Sequence, residues 1–327
     1  MRTSPMTDAG EAFDTLYARG VTDGLPVIPP TIERVHAAVE ATGRPGDELI
    51  GLVAPRYGRA TVERIAVNAV MAGCRPEYVP VVIAAVEAMC DPAFALEGVS
   101  GTTDAVTPLV IVNGPARRRL DVNCGVGVFG PGWRANATIG RAVRLVWANV
   151  GGATPGTISM STFGQPGRYT YCIGEDEETS PWEALHVERG FAAGQSTVAV
   201  LAAEAPQVVV DAGSRTARAV LSTIARNGEA IASHAVGGLG DTLVVLGPEH
   251  ARTIAADGWS KAGVRAFLWE HTRADLDGAP VAKFRDPQAL HLVVAGGTAG
   301  RFSAWVPGWP FRGAPSRLVM RAIDAPR

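Results

Sequence analysis

The sequence predicts an α/β fold of two similar, pseudo-twofold-related halves with mixed or parallel sheets, and three observations predict it. Pro108–Asn113 (PLVIVN) and Thr242–Leu246 (TLVVL) are short β-branched runs of the kind that form buried strands. Amphipathic helical runs flank both strands. The same punctuation follows each strand: Gly-Pro, a short arginine-bearing helix, Gly-Trp, then a longer helix. These signals stand at Gly114-Pro115 and Gly132-Trp133, and again at Gly247-Pro248 and Gly258-Trp259. An internal repeat of this kind divides the chain into 1–195, an N-terminal half carrying a Pro-rich strap, and 196–327, a C-terminal half. A functional site is then expected where the halves meet.

The elements follow in order. TDGLPVIPPT (22–31) is stiff and Pro-rich, and straps the N-terminus across the domain or walls a pocket. Thr31 is a natural N-cap for a helix over 32–42. ATVERIAVNAVMAG (60–73) and RTARAVLSTIARNG (215–228) read as matching helices, each ending on a glycine cap. Pro76 suits the opening turn of a helix over Glu77–Met89. After the two Gly-Trp pairs, apolar residues recur at helical spacing: Ile139, Val143, Val146 and Val150, then Val264, Phe267 and Leu268. YTYCIGEDEETSPWEAL (169–185) and LHLVVAGGTAGRFSAWV (290–306) each read as a strand entering a loop.

Composition narrows the function. The chain has 327 residues, 47% hydrophobic and 19% charged, with a net charge of −2. That is ordinary globular usage, with no field to recruit nucleic acid or an anionic membrane. No uncharged apolar run reaches the roughly 18 residues a spanning helix needs. Met1–Phe13 lacks the apolar core of a signal peptide, so the expected location is the cytoplasm. The four cysteines form no CxxC pair and are expected as free thiols. Of 30 basic residues, only Lys261 and Lys283 are lysine. Lysine can lose its proton and attack a carbonyl, which arginine cannot do, so Lys261 is a candidate catalytic residue.

Three segments carry the remaining candidates. In NCGVGVFGPGWRAN (123–136), Gly125, Gly127, Gly130 and Gly132 precede a helix, with Arg134 in its first turn and Asn136 behind it. Glycine admits close backbone approach and a helix N-terminus offers free N–H groups, so the loop is expected to bind an anion. It is neither a Walker loop nor a dinucleotide fingerprint. Cys124 opens the loop, and Arg134 beside its thiol would lower the thiol pKa. Cys74, in the interhelical turn AGCRPEY (72–78), has Arg75 as neighbour and the same expectation. In YCIGEDEETSPWEALHVERG (171–190), Glu175 lies nearest the strand end, where α/β proteins place ligands. If the segment is extended, His186 and Glu188 share a side and could share a proton or a metal. His250, after Gly247-Pro248, is a third proton carrier. Arg301, in AGGTAGRFS (295–303), marks a second glycine-rich cradle. His36 and His291 fall in apolar patterns and are expected to pack.

DGLPVIPPT, NAVMAGCRPEY, GPGWRANATIGRAVRL and AGGTAGRFSAWVPGW span most of the chain, and together resemble a bacterial family found alongside UGSC-type (seleno)proteins. The chain has no UGSC tetrapeptide itself. UGSC-type proteins resemble the selenol subunits of glycine-reductase-like enzymes, so the resemblance implies a (seleno)protein partner and proximity to reductive cleavage of a small substrate. It implies no catalytic residue.

The expectation is therefore an enzyme acting on a small carboxylate, acyl or carbonyl substrate, of lyase or reductive-cleavage type. Cys124 or Cys74 would be the thiol, His186, Glu188 or His250 would move protons, and the glycine loop would hold the anion. The alternatives are a metal-dependent hydrolase or hydratase using His186, Glu188 and His250, and a non-catalytic partner subunit docking through Trp305 and Trp309. The expected partners are a small-molecule substrate, a (seleno)protein and further copies of the chain. No motif specifies a cofactor.

Overall fold

The computed structural model describes residues 9–309 and 316–324; the N-terminal reading rests partly on residues 1–8, which lie outside them. The chain opens with α1 (Ala9–Ala18), the strap, and α2 (Ile32–Glu40). Thr31 caps α2 as expected, its hydroxyl accepting from Arg34 N at 3.4 Å. A small antiparallel hairpin, β1 (Leu49–Val53) and β2 (Gly58–Thr61), leads into α3 (Val62–Ala72). Gly73 ends α3 in the left-handed region at φ 92°, which is why glycine serves there. Residues 76–78 make one 3₁₀ turn, so the next helix, α4 (Val79–Met89), starts later than its sequence suggests.

The first sheet region comprises α5 (Leu96–Gly101), β3 (Thr107–Asn113), α6 (Pro115–Arg119), α7 (Arg134–Asn149), β4 (Cys172–Gly174), the single turn α8 (Leu185–Glu188) and β5 (Thr197–Ala203). The second comprises β6 (Gln207–Val210), α9 (Ala217–Gly228), β7 (Thr242–Leu246), α10 (Pro248–Ala256) and α11 (Lys261–His271). The hairpin β8 (Arg273–Leu276) and β9 (Ala279–Ala282) follows, then β10 (Leu290–Val294), β11 (Phe302–Val306) and β12 (Val319–Ala322). Gly228 falls inside α9 rather than capping it, and Glu229 takes the cap position.

Two four-stranded sheets result, ordered β12-β5-β3-β4 and β10-β7-β11-β6. In each, one parallel pair (β3 with β4, β7 with β10) continues into antiparallel neighbours. The run of pairings, one parallel and then two antiparallel, is the same in both, but the antiparallel edge strand comes last in the chain in the first sheet (β12) and first in the second (β6). The division at residue 195, however, does not separate the sheets. β5 and β12 both lie C-terminal to it, and both hydrogen-bond into the first sheet.

Side-chain alternation explains the layering. One set of strand residues, Leu109, Ile111 and Leu201 with Leu243, Val245, Val293 and Val306, forms a single apolar layer between the sheets. The opposite set on the first sheet (Val110, Val112, Val198, Val200) packs under α3, α4 and α7. On the second sheet, Val244, Leu246, Leu292 and Trp305 pack under α9, α10 and α11. The order of layers is thus helix, sheet, sheet, helix. Among the described residues no single helix is long and apolar enough to cross a membrane.

The strap is fixed from α7. Arg141 grips the Asp23 carboxylate at 2.7 and 2.8 Å and donates to the carbonyls of Leu25 and Pro26. Ile28 N donates to Met71 O at 3.1 Å, pinning the strap to α3.

Candidate active site

The carboxyl ends of both parallel strand pairs meet between the sheets. Asp176 N, just past β4, donates to Val294 O at the end of β10 at 2.7 Å, and Gly296 N donates to Cys124 O at 2.8 Å. Around this junction runs a continuous chain of polar contacts. The Cys124 thiol accepts from Arg117 Nη1 at 3.2 Å. Arg117 pairs closely with Glu178, and its Nε lies 3.9 Å from Glu177. Glu177 accepts from Asn113 Nδ2 at 3.1 Å and from Gly114 N at 2.7 Å. Asn113 Nδ2 also donates to Glu175 Oε2 at 2.7 Å. Glu175 Oε1 stands 3.7 Å from Lys261 Nζ. Lys261 in turn donates to Glu188 at 3.4 Å, and Arg265 pairs closely with the same carboxylate.

Local structure places each group. Asn113 is the last residue of a fully buried strand, so its amide emerges where the strand ends. Gly114 turns the chain at φ 76°, and a Cβ there would run into the Gln195 carbonyl oxygen. The turn aims Arg117, on α6, back over the strand ends. Ser260 caps α11 by accepting from Gly263 N at 3.1 Å, which sets Lys261 in the helix's first turn and Arg265 one turn later on the same face.

Burial grades along the chain of contacts. Glu178 is half-exposed, whereas Glu175 is 0% and Lys261 5% exposed. Burial pushes the Glu175 carboxyl above its ordinary range, and Lys261, Leu185 N–H and Asn113 only partly oppose it. Glu188, less buried and held by Lys261 and Arg265, goes below its ordinary value. Glu175 Oε2 accepts two bonds, from Asn113 and from Leu185 N at 2.8 Å, but Oε1 accepts none. Asn113 Oδ1 and Arg117 Nε are also buried without a hydrogen-bond partner.

A second network abuts this one. Arg189 Nη2 donates to His291 Nδ1 at 2.6 Å, so the imidazole proton sits on Nε2 and donates to Asp241 at 2.9 Å. His291 packs as expected, with its pKa pushed down by burial. His36 does not; it is exposed beside Glu40.

Several sequence expectations change. Arg134 is not at Cys124: its Nε and Nη2 both donate to Gly73 O, at 3.0 and 2.9 Å, closing the carboxyl end of α3. Arg117 holds the place beside the thiol. Even so, burial pushes the Cys124 thiol up, outweighing Arg117, and Cys74 is pushed up to about 12. Neither is a low-pKa thiolate. The glycine loop spends its own donors: Gly125 N on Asn123 Oδ1 and Gly130 N on Gly127 O. Gly127 and Gly132 turn it at positive φ. Asn136 is consumed bonding Asn123 and Cys172 backbone atoms. Arg301 ties Ser214 O to Thr253 Oγ1.

The proposed metal ligands do not assemble. His186 and Glu188 lie on a helical turn, where two residues apart point nearly opposite ways. His186 faces Ala193 O at 3.4 Å and Glu188 faces Lys261. Both ring nitrogens of His250 are engaged, by Ser303 Oγ and Asp211 O. Among the described residues no group of three or more His, Cys, Asp or Glu could hold a metal ion. Trp305 and Trp309 are core residues, bonded to Ile224 O and Thr102 Oγ1, not docking anchors.

The comparison with known proteins adds no assignment: no protein-family model matches the chain, and no curated protein does.

Proposed function

We propose that the chain is an enzyme acting on a small carboxylate or carbonyl substrate, of lyase type, working by acid–base chemistry at the sheet junction. The observation that supports it is Glu175: a buried carboxyl with a raised pKa and an unbonded Oε1, set 3.7 Å from an ammonium. A carboxyl raised in this way keeps its proton to higher pH than a free one and can give it up to a substrate. Lys261 and the Asn113 amide stand where negative charge would develop, and a buried ammonium stabilises an oxyanion far better than water does. Arg117 grips the substrate carboxylate, which takes the place of the half-exposed Glu178 as its counter-ion. Cys124 stands at the end of the network as a thiol bonded by Arg117. Reductive cleavage by this chain's own thiols would need a thiolate, and the raised pKa values of Cys124 and Cys74 favour the lyase reading.

The test is exchange and turnover in D₂O. A panel of small 2-oxo, 2-hydroxy and 3-hydroxy acids is incubated with the protein and followed by proton NMR. At least one member should exchange a C–H proton or eliminate water, and Glu175→Gln should lower that rate by about 10²-fold or more. A folded Glu175→Gln variant with unchanged rate, or no reaction across the panel, would overturn the proposal.

A further inference from the structure

A cavity of about 360 Å³ lies away from the sheet junction, and none of its lining residues belongs to the polar network there. Its walls come from the strap (Ile28), from α2 (Ala37, Ala38), and from the α3–α4 region (Val70, Pro76, Val79). Arg34, Arg134, Gly73 and Cys74 complete it. That volume is at the lower end of the roughly 300–1,000 Å³ typical of small-ligand pockets.

The lining sorts by polarity. Aliphatic carbons make the walls, and the two guanidinium groups stand at the exposed side. No carboxylate lines the cavity. Both arginines are oriented by carbonyls, Arg34 Nη1 by Pro29 O at 3.0 Å and Arg134 by Gly73 O, and each keeps N–H groups that these carbonyls do not occupy. The walls are preformed, because Arg141 and Met71 O hold the strap in place. The groups needed for proton transfer are missing: arginine keeps its proton, and the Cys74 thiol donates to Thr138 O at 3.3 Å. The cavity is built to bind rather than to react.

We infer that this cavity binds a small amphipathic monoanion, a short aliphatic carboxylate, with its chain against Ile28, Val70 and Val79 and its carboxylate between Arg34 and Arg134. An apolar tail alone would leave the arginines unsatisfied by it, and a bare anion would leave the walls in water. The inference stands independently of the junction chemistry.

The experiment is isothermal titration of the full chain with octanoate, octan-1-ol and acetate. Octanoate should bind saturably at one site, octan-1-ol at least 10-fold more weakly, and acetate without detectable heat. Ala37→Trp places a bulky ring into the cavity from an exposed helix position and should abolish octanoate binding while the thermal midpoint stays near wild type. Arg34→Gln, on the exposed side, should weaken octanoate several-fold and leave octan-1-ol unchanged. Octanoate should also slow maleimide labelling of Cys74. No saturable octanoate binding to the wild-type chain, equal binding of octan-1-ol, or undiminished binding to a folded Ala37→Trp variant would each overturn the inference.

Discussion

The two four-stranded sheets share one run of pairings, a parallel pair followed by two antiparallel ones, yet the polar groups beyond their central strands do different work. Arg117 and His250 stand at the same offset after Gly-Pro, three residues past Gly114 and Gly247. Arg117 keeps a buried Nε without a partner and sits among Glu177, Glu178 and Cys124. His250 has both ring nitrogens engaged and is completely buried. The imidazole itself is satisfied, although Asp211 Oδ2 and Arg301 Nε beside it are buried without a hydrogen-bond partner; only the Arg117 end gathers several charged groups around a thiol. The second half nevertheless contributes to the first, because Lys261 and Arg265 reach across from α11 to Glu175 and Glu188. A shared framework therefore does not imply two equivalent sites.

The largest effect that sharpens this contrast is on turnover. Lys261→Met should lower the rate by about 10²-fold or more, since it removes the ammonium opposite the developing charge. His250→Gln should leave the rate near wild type while costing about 1–3 kcal/mol of stability for its buried bonds, read by urea unfolding. Equal losses of rate in both variants would erase the distinction.

Next is the backbone. Gly114→Ala combines a clash with the Gln195 carbonyl and strain at φ 76°, whereas Gly247 has φ −63° and only a clash, with Phe302 O. Overpacking costs roughly 1–3 kcal/mol, and the left-handed region adds about 1–2 for a residue with a Cβ. Gly114→Ala should therefore be the more destabilising of the two, and the reverse order would refute the assignment.

Two acid groups just past strand ends respond to pH in opposite directions. Glu204, after β5, is pushed up to about 7 by burial and by neighbouring Asp104. Its protonated form is favoured in the folded state, so the stability it contributes is present below about pH 4.5 and is lost as pH rises through about 7. Asp211, after β6, is held down to about 2 by hydrogen bonds from Thr223, Ser214 and Gly213, which outweigh its burial. Its contribution is present above about pH 3.8 and lost as pH falls through about 2. Glu204→Gln should flatten the alkaline limb of the melting-temperature profile, and Asp211→Asn the acid limb. The smallest effect concerns the thiols: Cys124 and Cys74 should label with iodoacetamide more slowly than a free thiol below pH 8.

The sequence shows much of the framework and less of the site. β7 and the Thr31 cap follow from residue pattern, because strand runs and capping are local. The return of β12 to pair with β5 is a contact between residues over a hundred positions apart, which no local pattern encodes. Lys261 stands out because lysine is so scarce here, and Glu175 because it ends a strand. Arg117 and Arg265 carry no such mark: in a chain whose cations are nearly all arginine, a buried one looks like any other. Asn113 is the missed signal, a polar residue closing an otherwise apolar strand. His186 and Glu188 mislead because a four-residue helical turn has too little sequence to show its period.

The central claim is that Glu175 carries the working proton, and it can be measured without knowing the substrate. Glutamate is labelled with ¹³C at the side-chain carboxyl, and the chain is titrated by NMR, with Glu175→Gln identifying the signal. The account predicts a midpoint above the ordinary value of 4.5. A midpoint at or below 4.5 would contradict it.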